Sequence, residues 1–208
     1  DTTWAAGYGK VWRGESWPGT TSISGAIKTD GSLWTWGNGY RGALGKNNQT
    51  DYNSPVQVPG SWSKITGSRV TMYGLSPSGS LYAWGRNAFG ELGTNQYAGA
   101  GGAPSNQWQM EPKQVPGTWR DISSGGYQAI ATKTDGTLWV WGGNGYGALG
   151  QNSPGDRSSP VQVPGTTWNE VACGYSKSFA TKTDGTMWAW GLNNGGGLGQ
   201  NNHIAYSS

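Results

Sequence analysis

One ten-residue phrase is written three times in this chain, as KTDGSLWTWG (28–37), KTDGTLWVWG (133–142) and KTDGTMWAWG (182–191), with a blurred copy, SPSGSLYAWG, at 76–85. The turn glycines Gly31, Gly79, Gly136 and Gly185 are 48, 57 and 49 residues apart. The other marks keep a fixed order. Eight residues beyond each Trp-Gly stands the glycine of a Leu-Gly pair, Gly45, Gly93, Gly150 or Gly199. PVQVPG (55–60, 160–165) or PKQVPG (112–117) follows, and then Trp62, Trp119 or Trp168, each 17 residues before the next turn glycine. A period near 50 residues, built from short strands and turn signals, is the sequence signature of a β-propeller or a related array.

Each unit supplies four strands. Asp30-Gly31, Asp135-Gly136 and Asp184-Gly185 offer the positive φ of a tight hairpin turn between two β-rich runs such as AIATK and TLWVW. PVQV and the WRDIS-type segment add two more strands. The expected fold is all-β: a propeller of four-stranded blades, about four in this chain. Residues 1–208 are read as one repeat domain with units near 1–60, 61–117, 118–165 and 166–208.

Side-chain parity sharpens this. Along a strand, residues two apart share a face. Trp139 and Trp141 therefore oppose Leu138 and Val140, as Trp34 and Trp36 oppose Leu33 and Thr35, and Trp188 and Trp190 oppose Met187 and Ala189. Both faces are filled, as in a blade covered by neighbours on each side, whereas a sheet with one wet face alternates apolar with polar. These tryptophans, with Trp84, form the expected repeat core. Fourteen tryptophans offset the low hydrophobic content of 34%.

Charged residues are only 12% of the chain, and the net charge of +3 falls in no basic block. Phosphate-driven nucleic-acid binding is not expected, because it needs a basic stripe. No apolar run reaches the roughly 20 residues that span a bilayer. The surface is made polar by Asn, Gln, Ser, Thr and Gly, which tilts the reading towards an extracellular or virion protein. The single cysteine, Cys173, excludes an intrachain disulfide and reads as a small packing residue in a buried strand. With one histidine, His203, and 11 acidic residues, no Ser-His-Asp set, metal spacing or phosphate loop emerges. Neither catalysis, cofactor nor metal is expected.

The period breaks at two places. TNQYAGAGGAPSNQWQME (94–111) lengthens the second interval, and KVWRGESWPGTTSISG (10–25) lengthens the first unit. Insertions in repeat proteins map to loops, commonly on a binding face. Trp12, Arg13, Trp17, Tyr97 and Trp108 are the aromatic and Arg residues suited to contact anchors there.

The pattern DGxLWxWGxNxxGxLG followed by PxxV, nearest in TDGTLWVWGGNGYGALG (134–150), resembles the repeat of the regulator-of-chromosome-condensation family, and its wording is similar to bacterial or phage versions. The resemblance implies a propeller, usually seven-bladed. It also implies roles that range from guanine-nucleotide exchange and chromatin binding to secreted and particle proteins. The family's frequent histidine is missing: GGYQAIA (125–131) and GYSKSFA (174–180) carry Gln128 and Lys177 near its place. Four blades at seven-blade curvature leave two indole-rich end faces to be covered. A piece of a longer propeller, several chains closing a ring or stacking, and a compact four-bladed ring all satisfy this. The expected function is a non-enzymatic interaction or structural module that binds a protein partner or itself. A glycan-binding propeller and a nucleotide-exchange regulator are the alternatives.

Overall fold

A computed structural model describes residues 3–7, 9–14, 22–68, 70–96 and 108–207 of the chain. They form two compact units, Asp1–Ala88 with Ala98–Thr118, and Phe89–Tyr97 with Trp119–Ser208.

The first unit holds two four-stranded sheets. One is β1 (Val11–Arg13), β2 (Ile23–Ile27), β3 (Leu33–Gly37) and β4 (Tyr52–Val58); the other is β5 (Lys64–Gly67), β6 (Thr71–Leu75), β7 (Leu81–Gly85) and β8 (Gln109–Val115). The second unit holds β9 (Trp119–Gly125), β10 (Gln128–Lys133), β11 (Leu138–Gly142) and β12 (Arg157–Val163), then β13 (Trp168–Gly174), β14 (Lys177–Lys182) and β15 (Met187–Gly191). Every sheet is an antiparallel meander in chain order, as expected of blades. The last sheet departs from the four-strand expectation: it has three strands. Only an isolated bridge, Gly191 to Tyr206, occupies the register that Gly142 and Arg157 hold at the start of β12. No PVQV segment follows that bridge among the described residues.

The hairpins explain the repeated phrase. Asp135 Oδ1 accepts the backbone N–H of Thr137 at 3.0 Å and its hydroxyl at 2.6 Å, and Thr137 Oγ1 in turn accepts the indole N–H of Trp139 at 2.8 Å. Lys133 Nζ stands 3.8 Å from the Trp139 ring centroid. Lys, Asp, Ser or Thr, and Trp are thus links of one relay. It recurs through Lys28, Asp30, Ser32 and Trp34, and through Lys182, Asp184, Thr186 and Trp188. The hydroxyl bond from Ser32, Thr137 or Thr186 is the chief reason each of these aspartates titrates below the usual value.

Packing follows the parity. In the first unit the smaller-residue face of β1–β4 (Ile23, Leu33, Leu44, Val58) meets Trp62, Ile65, Met72 and Trp84 of the next sheet. The second unit repeats this, with Ile130, Leu138, Val140 and Leu149 against Trp168, Val171 and Trp190. Within each Trp pair the roles differ. Trp84, Trp141 and Trp190 are buried, whereas Trp34, Trp36 and Trp139 are half-buried and Trp188 is 49% exposed. Trp188 is therefore no core residue: it lies beside the hairpin turn, capped by Lys182 and edge-on to Trp168 at 6.1 Å. The buried partners that the expected core left out are Trp62, Trp119 and Trp168, marked in the sequence only by their spacing, whose rings contact Trp84, Trp141 and Trp190.

Candidate functional site

The most developed surface cluster belongs to the first unit and is built on a single 3-10 turn, Tyr40–Gly42. Three polar side chains fix that turn. Asn38 Oδ1 accepts the Tyr40 N–H at 2.7 Å, Gln49 Oε1 accepts that of Arg41 at 3.2 Å, and Asp51 Oδ1 accepts that of Gly39 at 2.9 Å. Arg41 is thereby held at φ 59°, in the left-handed region that non-glycine residues seldom adopt.

Trp108 reaches the same place from the other side of the unit. Two residues on, the Met110 carbonyl receives the Asn47 N–H at 2.7 Å, which docks the start of β8 against the turn. The Tyr40 and Trp108 rings meet at 5.8 Å, and the Arg41 guanidinium lies 4.8 Å from the Tyr40 centroid and 5.4 Å from that of Trp108. Tyr40 is 44% exposed. Arg41 Nε and Trp108 Nε1 have no hydrogen-bond acceptor among the described residues. The cluster thus presents the aromatic surface of Tyr40 beside a fixed, half-buried cation, while the two unused donors are themselves buried.

The other sequence candidates fare differently. Trp12 and Arg13 lie in β1 and not in a loop, because the segment pairs with β2 (Trp12 opposite Gly25) and completes the sheet. Trp12 donates its indole N–H to the Gly67 carbonyl at 3.1 Å and packs against the first core, while Arg13 is exposed. Trp17 and Tyr97 lie outside the described residues. Tyr40 and Arg41 escaped the sequence reading although a signal was there: NGYRGALG places Arg where NNGGGLG places Gly195, itself at φ 72°. Tyr146, at φ 61° and 63% exposed, holds the same turn position in the second unit.

A cleft of about 770 Å³ also opens in the first unit, lined among others by Lys46, Asn47, Trp62, Ser76, Tyr82 and Glu111. The Trp62 indole N–H is buried with no acceptor among the described residues. No group of three or more His, Cys, Asp or Glu able to hold a metal stands among the described residues. Cys173 lies in β13, and burial pushes its thiol up to about 12, far from nucleophilic use near neutrality.

Antiparallel four-stranded meanders, stacked with the Trp face of one on the small face of the next within each unit, define the class as β-propeller blades. Residues 30–72, 78–132 and 135–181 match the regulator of chromosome condensation (RCC1) repeat, and the chain belongs to that family. It is 30% identical over 146 residues to the ultraviolet-B receptor UVR8 of Arabidopsis thaliana, covering 66% of this chain and 31% of the receptor. Human WBSCR16 is similar in fold, with TM-score 0.77 at 20% identity over 89% of this chain and 49% of that one. Yeast RCC1 (Prp20), in its complex with Kap60, gives 0.74 at 19% identity over 89% and 45%. The chain spans about a third of the length of the receptor and about half of these two solved chains.

Proposed function

We propose that this chain is a non-enzymatic interaction module of the RCC1-repeat class, its four blades working as one domain. The Tyr40–Arg41–Trp108 cluster contacts a protein partner. The observation that carries this reading is Arg41 itself, held in a left-handed turn by Asn38, Gln49 and Asp51 and flanked by two aromatic rings, with Nε unused among the described residues. The left-handed turn recurs at Tyr146 and Gly195 and so belongs to the repeat, while the half-buried Arg between two aromatic rings is particular to this one. Partner binding by relatives adds support: yeast Prp20 has been solved bound to Kap60, and its binding to Gsp1p and histones has been described. The expected partner surface carries carboxylates or free carbonyls to meet the guanidinium. The sparse charge and Asn-, Ser- and Gly-rich composition support a place outside the cell or on a virus particle.

The test is affinity capture by the intact protein, set beside Arg41→Ala and Trp108→Ala variants with unchanged circular dichroism. A partner retained by the parent and lost by both variants supports the reading. Equal retention by all three removes this cluster from the contact.

A second reading, glycan binding, is favoured by the cleft, where Trp62 and Tyr82 stand beside Lys46, Asn47, Ser76 and Glu111. Glycan-array binding lost on Tyr82→Ala and kept on Trp108→Ala would establish it in place of the first.

A further inference from the structure

The second repeat is the blurred copy, and the blur removes a cation. In the other three hairpins a lysine ammonium lies over two aromatic rings. Lys133 Nζ stands 3.8 Å from the Trp139 centroid and 5.1 Å from that of Trp119, and Lys182 Nζ stands 4.5 Å from Trp188 and 4.8 Å from Trp168. Lys28 Nζ lies 4.2 Å from Trp34 and 5.6 Å from Trp4. KTDG becomes SPSG in the second repeat, so Ser76 holds the lysine position, Ser78 that of the aspartate and Tyr82 that of the outer tryptophan.

The frame around that position is kept. The Ser76 N–H donates to the Ser80 carbonyl at 2.9 Å and the Gly79 N–H to that of Ser76 at 3.1 Å, as Lys133 does to Thr137 at 2.9 Å and Gly136 to Lys133 at 3.1 Å. Trp62 and Tyr82 meet edge-on at 5.4 Å and 77°, as Trp119 and Trp139 do at 6.4 Å and 86° and Trp168 and Trp188 at 6.1 Å and 73°. Ser76 Oγ turns into the hairpin, where it accepts the Ser80 N–H at 3.0 Å and lies 2.8 Å from Ser78 Oγ. No described lysine or arginine lies over Trp62 or Tyr82.

The cleft of about 770 Å³ opens at this place, with Trp62, Ser76, Ser78 and Tyr82 on its wall. Trp62 is buried, and half-buried Tyr82 is the ring the cleft offers. Two charged residues line it. Lys46 is committed to the Gln57 carbonyl at 2.6 Å, whereas exposed Glu111 has neither a hydrogen bond nor an ion pair among the described residues. A cation entering the cleft therefore meets an aromatic face and an unpaired carboxylate, both of which attract it.

We infer that this cleft takes a lysine side chain of a protein partner, whose ammonium lies over Tyr82 and Trp62 as the chain's own lysines lie over the matching rings. The occupant is a lysine because this chain makes that contact three times with a lysine and keeps the receiving half, without the lysine, in the fourth. The inference rests on the interaction-module reading for the source of the lysine. It shares no side chain with the Tyr40–Arg41–Trp108 cluster, and it assigns the cleft to a cation in place of a glycan.

An NMR titration of the isotope-labelled chain with the peptide acetyl-Gly-Lys-Gly-amide, followed at the Trp62 indole and Tyr82 ring resonances, tests this. Saturable shifts are expected. The same peptide with norleucine, which keeps the stem and loses the charge, should bind about tenfold more weakly, and the arginine peptide more weakly than the lysine one. Tyr82→Ala should lose the lysine peptide. Should that variant unfold, Ser76→Lys combined with Ser78→Asp rewrites the turn as its three siblings have it, supplies the ammonium from within, and is expected to fold and to bind the peptide about tenfold more weakly. Arg41→Ala should leave the titration unchanged, so this site and the Tyr40–Arg41–Trp108 contact can fail separately. A lysine peptide without a saturable shift overturns the inference. So do norleucine or arginine peptides that bind as well as the lysine one, or a folded double variant that binds like the parent.

Discussion

Trp190 donates its indole N–H to the Ala148 carbonyl at 3.0 Å while its ring lies over Gly150, where a Cβ would stand 2.8 Å from the indole nitrogen. Two of the repeat's fixed marks, the Trp of Trp-Gly and the Gly of Leu-Gly, are therefore one contact seen from its two sides. A side chain on Gly150 must displace a buried ring, and overpacking of that kind costs about 1–3 kcal/mol.

Gly150→Ala is accordingly expected to destabilise the protein by that amount beyond what the same change does at Gly199. Both glycines have positive φ, 61° and 70°, so the left-handed penalty is common to the pair and cancels. Only Gly150 carries an indole. Urea unfolding of the two variants, in dilute solution, measures the difference; equal midpoints would show that the ring moves aside without cost.

The hairpin relay predicts an acid limb to stability. Asp30, Asp135 and Asp184 titrate below the ordinary aspartate value, first because of the hydroxyl bonds from Ser32, Thr137 and Thr186. A group depressed by folding stabilises above its unfolded value, and the contribution is lost as pH falls through the folded value. Melting temperature is thus expected to hold from neutrality down to about pH 4 and to fall below it. The Asp30→Asn, Asp135→Asn, Asp184→Asn triple variant should melt lower at neutral pH and lose part of that slope. An unchanged slope would assign the acid limb to other carboxylates.

Much of the fold was legible in the sequence because its signals are local. A turn glycine, a period-two strand and a fixed 17-residue spacing depend on no distant partner, so sheets, hairpins and the face that carries the indoles could be read directly. Trp12 was misread as a loop residue because its strand is set by pairing with β2, and only three residues long, and its own sequence context shows none of the PxxVPG spacing found elsewhere. The Tyr40–Arg41–Trp108 cluster was half legible. Trp108 stood out as an aromatic in an insertion, whereas its neighbours Tyr40 and Arg41, some 67 residues earlier in the chain, are brought to it by docking of the Met110 backbone.

Gln128 illustrates a contact that no local signal announces. It is buried, and its amide donates to the Gly174 carbonyl at 3.1 Å and the Lys177 carbonyl at 3.2 Å, tying β10 to the turn between β13 and β14. Gln128→Leu leaves both carbonyls without this donor, so a loss of about 1–3 kcal/mol is expected. Gln128→Asn, too short to span the same gap, should lose nearly as much. Thermal unfolding of the two variants checks this, and a Leu variant as stable as the parent would mean that water or a backbone shift replaces the amide.

Cys173 gives the last test, because its reactivity reports the integrity of the second unit. Burial raises its thiol to about 12, and its backbone N–H is tied to Ser123 Oγ at 3.0 Å, across from one sheet of the unit to the next. Only the thiolate attacks an alkylating reagent, and at mildly alkaline pH the native protein holds almost none. Iodoacetamide labelling of the folded chain is therefore expected to be slower than that of the urea-unfolded chain, and to accelerate in step with unfolding as urea is added. Rapid labelling in native buffer would mean that β13 opens locally and that its thiol meets solvent well before the sheets separate.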